Sequence, residues 1–173
     1  LKAWEKKFGW DPSKKYTSEQ EIFSANKITW IPPYLREKPY IIDKAKAKEV
    51  PKVVTTKDIK AIIHSHSNWS DGGYTIEQMA KGAIAKGFEY LVMSDHSKSA
   101  FYAGGLYPEK VIKQHEQIDA LNKKYKPFKI FKSIECDIRV NGDLDYEESF
   151  LKNFDCIIVS IHQLLKMDEK RAT

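Results

Sequence analysis

Ala61-Ile62-Ile63-His64-Ser65-His66-Ser67-Asn68-Trp69-Ser70-Asp71-Gly72 begins as an apolar strand and turns polar at a histidine. The run Ala61 to Ile63 reads as a buried strand that stops at His64. Side chains at alternate positions of an extended chain share a face, so His64 and His66 are expected to point the same way. Two imidazoles aimed into one space, with the Asp71 carboxylate a turn later, suit a divalent cation of the zinc or manganese type. The same letters would also serve as polar residues on the exposed end of a strand. Later repeats of the pattern decide between the two.

Downstream, Thr75-Ile76-Glu77-Gln78 has the form of a capping box. Ile76, Met79, Ala80, Ala83 and Ile84 then follow helical spacing, and Gly87 stands where such a helix should end. Tyr90 to Met93 reads as a second strand, leading into Ser94-Asp95-His96. Pro108 fits the first turn of a long helix to about Lys124, with Val111, His115 and Ile118 on one side. Phe128 to Ile134 is a third strand ending in Glu135, and Asn141-Gly142 marks a tight turn within a small hairpin, Ile138 to Leu144. Phe154 to Ile161 is a fourth strand ending in His162.

Strands separated by helices predict βαβ units, a parallel sheet and an α/β fold. The polar residues closing the strands are His64, His96, Glu135 and His162 in turn, and the carboxyl ends of parallel strands lie on one edge. With His66, four of the five histidines fall at these strand ends, which chance rarely arranges. The candidate ligands are therefore His64, His66, Asp71, His96, Glu135 and His162. One ion needs three or four protein ligands, so six candidates imply at least two, with Glu135 able to bridge. Clustered metals suit hydrolysis of phosphoryl esters, since they acidify water and neutralise charge on phosphate oxygens.

Other residues carry less. Asp95 is placed to orient the His96 imidazole or to cap a turn, and His115 falls on the apolar side of its helix as a packing residue. Asp137, Asp143 and Asp145 read as the polar surround of a hairpin. Lys98, Lys132 and Arg139 are weak candidates for meeting phosphate, and Gly104-Gly105 suits a close backbone approach beside the site.

Upstream, Trp4 and Phe8 mark a short helical face broken at Asp11-Pro12. Thr17 or Ser18 can cap a second helix, with Glu19 and Glu21 in its first turn and Ile22 and Phe23 inward. Trp30-Ile31-Pro32-Pro33 favours an extended path, and the lysine-rich stretch with Pro39 and Pro51 reads as a linker wrapping a surface. Composition, 42% hydrophobic and 31% charged, is that of an ordered globular chain. No apolar run approaches membrane-spanning length and no signal-peptide core is present. Cys136 and Cys156 have neither zinc-finger nor CxxC spacing, which fits a reducing cytoplasm. Residues 1–57 hold 13 Lys and Arg against 7 Asp and Glu, and the remainder 16 against 17, a basic front half that would suit DNA. The first residue is not Met, so a piece of a longer or processed protein is expected.

His-x-His with Trp-Ser-Asp-Gly, then Ser-Asp-His-Ser, Glu-Cys-Asp-Ile and Ser-Ile-His, resembles the PHP (polymerase and histidinol phosphatase) domain. Trp30 to Glu37 is similar to the junction in bacterial X-family DNA polymerases, which join a nucleotidyltransferase core to such a domain; Asp143-Leu144-Asp145-Tyr146 also resembles that subgroup. The resemblance implies a distorted (β/α)7 barrel with a centre for up to three metals, manganese or zinc. It would give one metal to His64, His66 and Glu135, a second to Asp71 and His96, and a third to Glu135 with His162. It also implies the end of a polymerase thumb at 1–36, a linker at 37–57 and the first half of a PHP barrel at 58–173. The family pattern continues with further strands and late ligands beyond this sequence.

The implied function is a metal-dependent phosphoesterase of a DNA repair polymerase, acting as a 3′–5′ exonuclease with DNA and the rest of the polymerase chain as partners. Two rivals are a histidinol-phosphatase-type small-molecule phosphatase and a non-catalytic DNA-binding or scaffold module.

Overall fold

Ser18 starts helix α1 (Glu19–Ala25): its hydroxyl accepts from the Glu21 N–H, and Glu19 and Glu21 put negative charge where the helix dipole favours it. The computed structural model describes residues 6–8, 13–162 and 170, and divides the chain into two units, Leu1–Val54 and Thr55–Thr173. In the first unit a 3-10 turn, Pro33–Leu35, follows the two prolines, and α2 spans Tyr40–Lys46. Phe8, Phe23, Ile28, Ile31, Ile41, Ile42 and Ala45 form its core. The Arg36 guanidinium bonds both the Ile31 carbonyl and the Glu19 carboxylate, and with Trp30 it holds the Glu19 carboxyl down to about 2.

Helix α2 places a folded element inside the stretch read as a linker after Glu37. Ile41, Ile42 and Ala45 share one helical face and are buried, while the lysines between and after them stay exposed. Trp4, Asp11 and Pro12 lie outside the described residues.

In the second unit four parallel strands pair in the order β1-β2-β3-β4 and curl as part of a (β/α) barrel. They are β1 (Ala61–Ser65), β2 (Tyr90–Met93), β3 (Lys129–Asp137) and β4 (Cys156–Ser160). Helices α3 (Ile76–Ala85) and α4 (Pro108–Lys124) cross over between them, and the short α5 (Glu148–Leu151) precedes β4. Thr75 and Gln78 close the predicted capping box on α3, and Gly87 beyond its end takes a φ of +79°. Ile76, Ala80 and Ala83 of α3 and Ile118 and Leu121 of α4 bury against Leu91, Met93 and Ile130. Each isoleucine, leucine or methionine side chain so removed from water contributes about 1.5–3 kcal/mol. A second cluster, including Leu106, Val111, Ile134, Cys136 and Tyr146, lies under the carboxyl ends of β2 and β3. Among the described residues no helix is long and apolar enough to cross a membrane.

The strand ends differ from expectation in three ways. β1 is not buried: it is an edge strand whose Ile63 is 62% exposed. It also runs on to Ser65, with His64 at φ +69° and the register slipping between Ile62 and Ser65. β3 runs two residues past Glu135, whereas His96 lies beyond β2 and regains the sheet through a single bridge to Glu135.

Candidate metal centre

Glu135 stands at the centre of the strand ends, 5% exposed, and four imidazoles surround it. His64 Nε2 and His66 Nε2 each lie 3.3 Å from Glu135 Oε2, His96 Nδ1 lies 3.2 Å from the same oxygen, and His162 Nε2 lies 3.4 Å from Oε1. Asp71 completes the ring of six, its carboxylate 2.9 Å from His66 Nδ1 and 3.5 Å from His96 Nε2. The structure thus brings together every residue that the sequence nominated as a ligand. It groups them as His64, His66 and Glu135; as His66, Asp71 and His96; and as His96, Glu135 and His162, the donor atoms of each group lying within 4.8 Å of one another.

The donor set fits divalent transition metals. Imidazole and carboxylate are the ligand types that zinc and manganese take, and the spacing leaves room for an ion between donors. His96 Nδ1 is buried without a hydrogen-bond partner, although the Glu135 oxygen is near, which leaves it available to a cation. Burial lowers the His96 pKa first, with the His66 charge beside it, which favours the neutral ring that metals bind. Burial works to raise the Glu135 carboxyl, but His64, then His96 and His162, more than offset it and keep it below its ordinary value. A neutral imidazole has one lone pair to give, so His66 and His96, each shared by two groups, serve one ion at a time. Glu135, with two oxygens, can serve two.

His64 and His66 face each other by an unexpected route. Their rings stack with centroids 5.3 Å apart at 27°, yet the strand between them is bulged and not regular. Behind them Asp95, with no exposed surface, accepts hydrogen bonds from Ser67 N–H at 2.8 Å, Ser67 Oγ at 2.7 Å, Ser70 N–H at 3.2 Å, Ser70 Oγ at 2.5 Å and Gln114 Nε2 at 2.7 Å. Asp95 therefore clamps the loop that carries His66 and Asp71; of the two expected roles, orienting the His96 ring or capping the turn after it, its hydrogen bonds serve neither and hold the preceding loop instead. A methyl group on Gly72 would strike the His66 carbonyl, so that loop closes on its own backbone.

Sequence reading passed over Asp137 and Asp145 as hairpin polarity. Asp137 Oδ1 lies 2.5 Å from His162 Nδ1, which leaves His162 Nε2 toward Glu135, and its other oxygen accepts from Ser99 Oγ. His162 thus meets Asp137 and the His96 ring as well as Glu135, more than was expected of it. Asp137 sits two residues after Glu135 on one strand, and that alternation was the available signal. Asp145 is buried and accepts from the Ser99 N–H and from Arg139. Arg139 and Lys132 pair with Asp145 and Asp119, and Lys98 lies over the Tyr146 ring. Gly105 makes the expected close approach: a methyl there would meet the Ser97 carbonyl. His115 packs edge-on against Phe154, as expected of a packing residue.

A family model described as "PHP domain" matches residues 63–172. The chain is 35% identical over 156 residues to a protein of Bacillus subtilis (strain 168) named DNA polymerase/3′-5′ exonuclease PolX, covering 90% of this chain and 27% of that protein. It is 27% identical over 110 residues to a probable phosphatase of Thermoanaerobacter sp. (strain X514), covering 61% of this chain and 42% of the relative. It is 28% identical over 103 residues to a probable phosphatase of Acetivibrio thermocellus, covering 58% and 40%. The chain spans about a quarter of the polymerase's length and about two fifths of the phosphatases'.

Proposed function

The chain belongs to the PHP domain family, and from that premise we propose that it is a metal-dependent phosphoesterase domain of a DNA repair polymerase, trimming DNA 3′ ends as a 3′–5′ exonuclease. The observation that carries the reading is the convergence of six imidazole and carboxylate groups about Glu135 at the carboxyl edge of a parallel sheet. Likeness to a polymerase and exonuclease over nine tenths of the chain directs it to DNA. On this reading residues 1–36 close a polymerase thumb, 37–57 connect it, and 58–173 are PHP; the setting is cytoplasmic.

His64, His66 and Glu135 would hold one manganese or zinc ion, Asp71 and His96 a second, and Glu135 with His162 a third. Bound there, the metals would supply an acidified water and neutralise charge on the phosphate oxygens. The protein's own part is positional. Asp71 accepts from His66 Nδ1 and so turns Nε2 toward Glu135, and Asp137 does the same for His162. Glu135, ionised and nearly buried, offers one oxygen to each side.

The test uses the full-length polymerase. Replacing both His64 and His66 with Ala should abolish Mn2+-dependent shortening of a 3′-end-labelled strand and leave nucleotide addition intact. Unchanged shortening in the double variant would contradict the assignment. A second reading, a small-molecule phosphatase, rests on the two probable phosphatases; it would be favoured by release of phosphate from histidinol phosphate without attack on DNA.

A further inference from the structure

Phe101 and Tyr102 are two large aromatic residues that the fold holds out of the core beside the ligand cluster. Phe101 is 79% exposed and Tyr102 59%. They sit on a single 3-10 turn, Phe101–Ala103, and the turn itself is firmly held. Its small residues Ala100 and Ala103 are buried, Ala100 N–H donates to Ser97 O, Gly105 N–H donates to Ala100 O, and Leu106 N–H returns to His96 O. The buried Asp145 takes the neighbouring Ser99 N–H at 2.7 Å. Two adjoining exposed rings on so fixed a turn, one of them beside the candidate ligands, offer a ready surface for a ligand. The two rings meet edge to face with centroids 5.8 Å apart, and the Tyr102 ring lies 6.5 Å from that of His96.

We propose that Phe101 and Tyr102 form a stacking platform for the last bases of a single-stranded DNA 3′ end, delivering its terminal phosphodiester to the His96 side of the cluster. This rests on the exonuclease reading above and adds to it the part of the substrate that the polar ligands cannot grip. Nucleobases present an apolar face whatever their sequence, and exposed aromatic rings bind them without base preference, as an end-trimming activity requires. On this proposal the two rings are positioning residues: they hold the bases, with Tyr102 the nearer to the cluster, and take no part in the bond that breaks.

The experiment uses the Mn2+-loaded polymerase and an oligonucleotide with 2-aminopurine as its last base and a phosphorothioate as its last linkage, which slows cleavage. Stacking on an aromatic ring quenches 2-aminopurine, so the wild-type protein should quench the 3′-terminal probe and spare a 5′-terminal one. Phe101→Leu with Tyr102→Leu should lose most of that quench and weaken binding of the 3′ end roughly tenfold or more. Phe101→Trp with Tyr102→Phe should restore both, which a merely structural loss would not allow. Equal quenching by the wild-type and leucine proteins would overturn the platform and leave the exonuclease reading standing. A wild-type protein that neither binds nor shortens DNA would overturn both.

Discussion

Two carboxylates a few residues from the sheet's carboxyl edge differ in what surrounds them. Asp95 is enclosed by N–H and O–H donors, five hydrogen bonds to a group with no exposure. Glu135 is ringed by four imidazoles, and one of the nitrogens facing it, His96 Nδ1, makes no hydrogen bond. A carboxylate whose lone pairs are all spent on donors fixes backbone and has nothing left for a ligand. A carboxylate among imidazoles that cannot satisfy one another is an assembly that a cation completes. Asp95 is therefore scaffold and Glu135 the heart of the candidate site, although both are buried acids beside a histidine.

The largest effect on stability is expected at the scaffold. Asp95→Ala would strand the Ser67, Ser70 and Gln114 donors in a closed space, and about 4 kcal/mol of metal-free stability should be lost. Asp95→Asn, which keeps one acceptor oxygen, should lose about half as much. Denaturant unfolding in EDTA measures both; a loss below about 1 kcal/mol in the alanine variant would erase the distinction.

A smaller effect comes from His115, which lies outside both networks. Burial lowers its pKa first, followed by the Lys132 charge, with Asp119 and Asp155 opposing. Below its unfolded value of about 6.5 the unfolded chain takes up the proton more readily, so stability should fall as pH drops through that value toward the lower folded one. His115→Leu should flatten the melting temperature between pH 7 and pH 5, with His96 left to contribute the same sign. An unchanged slope would show that the ring titrates freely.

The candidate site was legible beforehand, because candidate ligands at strand ends follow from the alternation of strand and helix. His64, His96, Glu135 and His162 needed only the strand count, and α4 was visible in full from Pro108 to Lys124. What stayed hidden depended on tertiary partners. Asp95 and His96 are adjacent letters, and nothing local reveals that one is spent on Ser67 and Ser70 while the other faces Glu135. The exposure of β1 depends on which strand is outermost, which an apolar run cannot record. Helix α2 was masked by its lysines, since three buried positions among charged ones give a weak period.

The most direct measurement compares melting of the wild-type chain and the His64→Ala, His66→Ala double variant, each with and without Mn2+. Without metal the two should agree within about 0.5 kcal/mol, because both imidazoles are partly exposed and serve no core. At about a hundred times the dissociation constant, Mn2+ should stabilise the wild type by about 2.7 kcal/mol and the variant by far less. Equal stabilisation of both proteins by Mn2+ would contradict the assignment of this cluster as the metal centre.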